Sequence, residues 1–124
     1  MKFKTFMLIY ALVSILFGLG FVFLPGLVLS IYGVEADLSF RYIGQLFGAA
    51  LVSLAVLAWS LKEIGPEARK GGILALLVGE VLGLILAVIG QLNGALNVLG
   101  WSVVVVYLLL SAGLAYFYFV KSAA

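Results

Sequence analysis

The chain contains no cysteine and no histidine. Without cysteine, disulfides, thiol redox work, iron–sulfur clusters and dithiol reduction of quinones are excluded. Without histidine, the usual axial ligand of haem, the usual magnesium ligand of a chlorophyll and the commonest ligand of zinc are missing. No metal and no cofactor are therefore expected. Charge is scarce as well: 10% of the 124 residues are charged and 66% are hydrophobic, whereas a soluble domain carries about 25% charged residues. Such a chain cannot cover a water-facing surface with polar groups. The small excess of Lys and Arg over Asp and Glu is scattered over short connectors instead of forming a basic stripe, so nucleic acid is not an expected partner.

What is present is four long apolar runs. A membrane-spanning helix needs about 20 apolar residues, and the runs predict helices at about 5–24, 38–61, 71–92 and 97–120. The expected fold is all-α, an integral membrane four-helix bundle forming a single transmembrane domain over residues 1–124. Pro25 cannot continue the first helix and disfavours helical geometry at Leu24, so a kink or a short interfacial helix is expected from Pro25 to Gly33. A signal peptide would share Lys2 and Lys4 as its charged start and Val34-Glu35-Ala36 as its cleavage site, but the apolar run is too long for one. Asp37 or Ser39 is placed to cap the second helix. Gly65-Pro66 and Asn93-Gly94 separate the remaining runs.

The basic residues set the expected orientation. Lys2, Lys4, Lys62, Arg69, Lys70 and Lys121 fall on one side of a chain that crosses four times, leaving Arg41 with Glu35 and Asp37 on the other. The positive-inside rule then places both termini in the cytoplasm of a multi-pass protein of the cell (inner) membrane. Trp59, Trp101, Tyr42, Tyr116 and Tyr118 sit near helix ends, where aromatic belts form. Lipid offers helices no hydrophobic reason to associate, so small residues must allow close approach. Gly44, Gly48, Ala55 and Ala58 form such a stripe on the second helix, and Gly72, Gly79, Gly83, Ala87 and Gly90 supply one on the third. Gly18-Leu19-Gly20 lies inside the first helix and matches no phosphate loop.

Glu80 is the only charged residue between Lys70 and Lys121. A carboxylate at the bilayer centre is unfavourable by about 2.5 kcal/mol or more on insertion scales, and such residues usually carry a function. At 1.5 Å per residue it lies roughly 13 Å from the basic start of its helix, near mid-membrane. Without a nearby cation it is expected to take up a proton in the physiological range. Helix periodicity puts Gln91 on the same face nearer the outside and aligns Asn97, Gly100, Tyr107, Ser111 and Tyr118 on the fourth helix. Tyr10 and Ser14 lie one turn apart near mid-depth of the first. By depth, Ser14, Glu80, Tyr107 and Ser111 form a central polar layer, and Arg41, Gln45 and Gln91 an outer one. Arg41 is too far in depth to pair with Glu80, so Glu35, Asp37 or a lipid phosphate is its expected partner. For Ser14, Tyr107 and Ser111 the bland alternative is mutual or backbone hydrogen bonding, and for Arg41 an interfacial anchor.

Phe23-Leu24-Pro25-Gly26 running to Ile31-Tyr32-Gly33, followed by Arg41-Tyr42-Ile43-Gly44 opening a helix that ends near Trp59, resembles small four-helix bacterial membrane proteins of the DoxX-like kind, over roughly residues 8–60. The resemblance implies an accessory membrane subunit serving an oxidoreductase or redox-stress partner, with any redox chemistry belonging to that partner. Small multidrug-resistance transporters share the length, the four helices and one membrane-embedded glutamate. Theirs, however, lies in the first helix, and some of them need almost no charge bias. That difference argues against kinship and leaves an analogous proton-coupled mechanism open.

Two functions are therefore expected to compete. One is a non-enzymatic accessory or assembly subunit, whose partners are the bilayer and other membrane proteins or further copies of itself. The other is a small homo-oligomeric transporter or ligand-binding bundle using Glu80 as a protonatable site. Catalysis would need a nucleophile or base beside a second titratable group, and only Glu80 and the tyrosines could supply one.

Overall fold

The computed structural model describes residues 1–120, and Lys121, counted above in the charge bias, lies outside the described residues. Every regular element among those residues is helical: α1 (Phe3–Phe23), α2 (Pro25–Ile31), α3 (Leu38–Leu61), α4 (Lys70–Leu92) and α5 (Gly100–Ala115), which ends in a π-helical turn at Tyr116–Val120. Four stretches, α1, α3, α4 and Gly100–Val120, are long and apolar enough to cross a membrane. At 1.5 Å per residue the 21 residues of α1 reach about 31 Å, the thickness of a hydrocarbon core. Their outward faces carry large exposed apolar side chains such as Leu16, Leu46, Leu86 and Leu109. In water these would form an untenable surface, whereas in lipid they are the solvent-compatible one.

The helix boundaries follow from local chemistry. Leu24 leaves helical geometry at φ −133°, ψ 52°, because Pro25 crowds the residue before it. Pro25 then opens α2 at its first position, where a helix has no use for the missing N–H. The expected break after residue 24 is thus a short separate helix. The Asp37 side chain accepts from the Phe40 N–H at 2.9 Å and starts α3. α2 and α4 end in the same way. Gly33 (φ 80°) and Gly94 (φ 76°) take the left-handed conformation. The following N–H groups then turn back, from Val34 to the Leu29 carbonyl and from Ala95 to the Gly90 carbonyl, both at 2.9 Å. α5 begins three residues later than its apolar run suggests. The Asn97 side chain accepts from the Leu99 N–H at 3.0 Å, and the Gly100 N–H donates to the Asn97 carbonyl at 2.9 Å. Together these bonds wind residues 97–100 into a tight turn ahead of the helix.

α1 packs along α3 and α4 along α5. The α1–α3 contact is backbone on backbone: a Cβ on Gly48 would lie 2.7 Å from the Gly18 carbonyl oxygen and 2.9 Å from the Val22 nitrogen. Gly44, Gly48, Ala55 and Ala58 are all buried, forming the small-residue seam expected of this helix. On α4 the expected seam is only partly used. Gly72 lies beneath Leu61 and Gly83 beneath the Tyr107 ring, while Gly79 has nothing within 4 Å of where a side chain would start.

The two helix pairs are joined at one end by a closed core. Met7 and Tyr10 of α1, Ala58 and Leu61 of α3, Ile73 of α4 and Leu114 of α5 are nearly or fully excluded from the surface there. The basic side chains gather at this same end. Lys4 meets Glu63 at 3.4 Å, the Arg69 guanidinium lies 3.8 Å from the centre of the Phe3 ring, and Lys70 sits 5.4 Å from that of Tyr118. At the opposite end a polar tie joins the pairs. The Asn97 N–H donates to the Tyr32 carbonyl at 2.9 Å, and the Asn97 side-chain amide donates to the Ile31 carbonyl at 3.0 Å.

Candidate functional site

Between the basic-end core and the Asn97 tie, the two helix pairs leave a cavity of about 200 Å³. Its walls come from all five helices, from Tyr32 just after α2 and from Leu96 in the α4–α5 connector, and they are almost wholly apolar. Three of the residues assigned above to the central layer line it: Ser14, Glu80 and Tyr107.

Glu80 faces inward because it shares one helical face with Ile73, Leu76 and Leu77, all buried; spacings of three, four and seven residues fall on a single stripe. It is 8% exposed. The Tyr10 hydroxyl, on a residue only 1% exposed, donates to Glu80 Oε1 at 2.7 Å. Glu80 Oε2 is equally buried and has no hydrogen-bond partner among the described residues. No Lys or Arg among those residues lies within ion-pair distance of it; the ion pairs are those of Glu63 with Lys4 and Lys62. The carboxyl group is thus held through Oε1, while Oε2 is enclosed without a partner among the described residues.

Tyr107 is half-buried, and its ring rests on Gly83, three residues along α4 from Glu80. A side chain started at Gly83 would overlap the ring. Glycine there lets an aromatic wall stand directly against the α4 backbone beside the carboxyl group. Ser111, one turn further along α5, is buried with no partner for its hydroxyl among the described residues. It does not line the cavity.

The remaining polar residues of interest have other partners. Gln45 donates to the Val22 carbonyl at 3.0 Å, an acceptor that α1 leaves without a helical donor where it breaks before Pro25. Arg41 is exposed and donates through Nε to the backbone carbonyl of Asp37 at 3.4 Å. It does not pair with the Asp37 carboxylate, which is occupied in capping α3. Gln91 donates to the Asn97 carbonyl at 2.9 Å. It lines a separate pocket of about 180 Å³ between the end of α4 and the start of α5.

Two features were not assigned to the site in advance. Tyr10 is the partner of Glu80; its depth was legible, but the crossing that brings α1 against α4 was not. The second is the aromatic lining from Phe17, Phe21 and Phe47, which reads in the sequence as ordinary lipid-facing bulk. Chemically, the arrangement offers one buried acceptor in an apolar, ring-rich chamber.

Comparison with family models, with curated proteins and with solved structures found no match. The functional reading therefore rests on the site itself.

Proposed function

We propose that the protein is a non-enzymatic ligand-binding bundle of the cell (inner) membrane that holds a small lipophilic molecule within the bilayer, using Glu80 as its polar contact. The observation that carries this reading is a cavity of about 200 Å³ lined by a buried carboxyl group whose second oxygen has no partner among the described residues. Ligand sites are typically concave, mostly apolar and furnished with a few polar groups, and a carboxyl group kept inside hydrocarbon calls for a reason. In this reading the basic end faces the cytoplasm together with both termini, in keeping with the clustering of Lys4, Lys62, Arg69 and Lys70. The cavity then lies in the half of the membrane away from the cytoplasm. Passage of the ligand across the membrane, by one copy or several, extends the same reading. The accessory-subunit alternative draws on small size, short connectors, the lack of cofactor ligands and small-residue seams suited to docking, whereas the outward apolar faces are those of any lipid-facing helix.

The test is thermal unfolding of the purified protein in detergent against a panel of small lipophilic compounds. Val106 lines the cavity, and Val106→Phe would fill part of it. Compounds that raise the melting temperature of the wild type and leave that of Val106→Phe unmoved support a ligand cavity. Equal shifts in both proteins would remove it.

A further inference from the structure

The lining of the cavity restricts what it can hold. Five of its side chains are aromatic, Phe17, Phe21, Tyr32, Phe47 and Tyr107, and Glu80 is its one carboxyl group; no Lys or Arg lines it. Aromatic faces carry negative potential and attract cations most strongly where water is excluded. An anionic ligand would meet a carboxyl group and aromatic side chains, with no basic side chain to receive it. A hydrocarbon would fill the space and leave Glu80 Oε2 without a partner. An ammonium group answers both features, donating an N–H to the Glu80 carboxyl group and placing its charge among the aromatic side chains.

We infer that the cavity is a site for a compact lipophilic amine in its ammonium form, bound by the Glu80 carboxyl group and the surrounding aromatic side chains. This inference rests on the ligand-binding reading above and names the ligand class. The volume sets the size. A cavity of about 150 Å³ accepts benzene, so about 200 Å³ corresponds to roughly eight or nine non-hydrogen atoms.

Recognition of this kind exchanges a cation for a proton. Hydrocarbon does not tolerate an unpaired carboxylate, so without a cation the acid form is the stable one there. When R–NH₃⁺ arrives, the Glu80 O–H bond breaks, its proton leaves to bulk water, and the carboxylate pairs with the ammonium. The cavity carries one positive charge fewer than a simple addition would give, and no covalent bond is made. The titratable groups facing Glu80 are Tyr10 of α1 and Tyr107 of α5. Tyr32 follows the end of α2, which itself contributes only Leu29, and α3 contributes only Phe47 and Leu51. Binding should therefore release one proton per amine.

The experiment compares 2-phenylethylamine with its neutral counterpart 2-phenylethanol, by calorimetry of the full chain in detergent. Two buffers of different ionisation enthalpy report the proton count. The expected result is a preference of at least about tenfold for the amine, with close to one proton released. Glu80→Gln should abolish both the preference and the release. Equal affinities, or amine binding without proton release, would overturn the ammonium class while leaving the ligand cavity standing. Binding of neither compound would overturn the two readings together. The wild-type comparison decides the matter even where Glu80→Gln does not fold.

Discussion

Tyr10→Phe is the most discriminating single change, because it deletes one oxygen and nothing else. The phenol is 1% exposed and its hydroxyl donates at 2.7 Å to Glu80 Oε1, joining α1 to α4. Interhelical hydrogen bonds in membranes contribute about 0.6 kcal/mol on average and about 1.7 at most. Here the loss also leaves both oxygens of a buried carboxyl group without partners, a situation that costs about 1–3 kcal/mol. Tyr10→Phe should therefore destabilise by about 1–2 kcal/mol. In a Glu80→Met background the Tyr10 hydroxyl has lost its acceptor, so the same change should be neutral or stabilising. Denaturing-detergent titration in mixed micelles, followed by the fluorescence of Trp59 and Trp101, gives all four corners of the cycle. A cost for Tyr10→Phe that is the same in both backgrounds, within about 0.5 kcal/mol, would refute the coupling.

Two glycines make an opposed pair in the same assay. Gly48→Ala drives a Cβ into the backbone of α1 and should destabilise by about 1–3 kcal/mol, whereas Gly79→Ala meets open space and should be neutral or stabilising by up to about 1 kcal/mol. Asn97→Ala removes the donor to the Ile31 carbonyl and should speed amide hydrogen exchange at Gly33 and Val34 while leaving the Met7–Leu114 end protected. Lys62 and Lys4 hold the exposed Glu63 carboxyl below the usual carboxylate range. Its small contribution is thus present above that range and lost as pH falls through the lowered value. The stability difference between wild type and Glu63→Gln should accordingly shrink toward zero in acid and in high salt; a difference independent of both would exclude the ion pairs as its source.

The features legible in the sequence were those set by local chemistry. Hydropathy gave four spanning helices, Pro25 the break at Leu24, and Asp37 the start of α3, because each depends on residues within a few positions of one another. Glu80 stood out as a carboxyl group in an apolar run, and helix periodicity with depth put Ser14 and Tyr107 at its level. What stayed hidden depends on how helices cross. Nothing in the α1 sequence says that Tyr10 and not Ser14 meets Glu80, since both lie at suitable depth and only the rotation of α1 decides. The same holds for Gln45, Gln91 and Arg41. Each looked like a member of a polar layer, yet each hydrogen-bonds to a backbone carbonyl, at Val22, Asn97 and Asp37. Those acceptors become available only once helix ends and turns are in place. The cavity itself arises because Gly18 and Gly48 bring α1 onto α3 while the tie at Asn97 bridges a gap between the pairs, a geometry that no periodicity encodes.

The pairing of α1 with α3 and of α4 with α5 has a consequence for synthesis. α1 finds its main partner in α3, and α4 in α5, in each case the next long helix to leave the ribosome, with α2 lying in the turn of the first pair. The first pair can therefore close in the membrane before the second has been translated, and neither has to be opened to admit the other. Gly65 and Pro66 lie in the connector between them, and a chain cut there would leave two fragments, each with its own pairing complete. Their reunion would need only the Met7–Leu114 end and the Asn97 tie to form, so co-expression of the two fragments should rebuild the bundle.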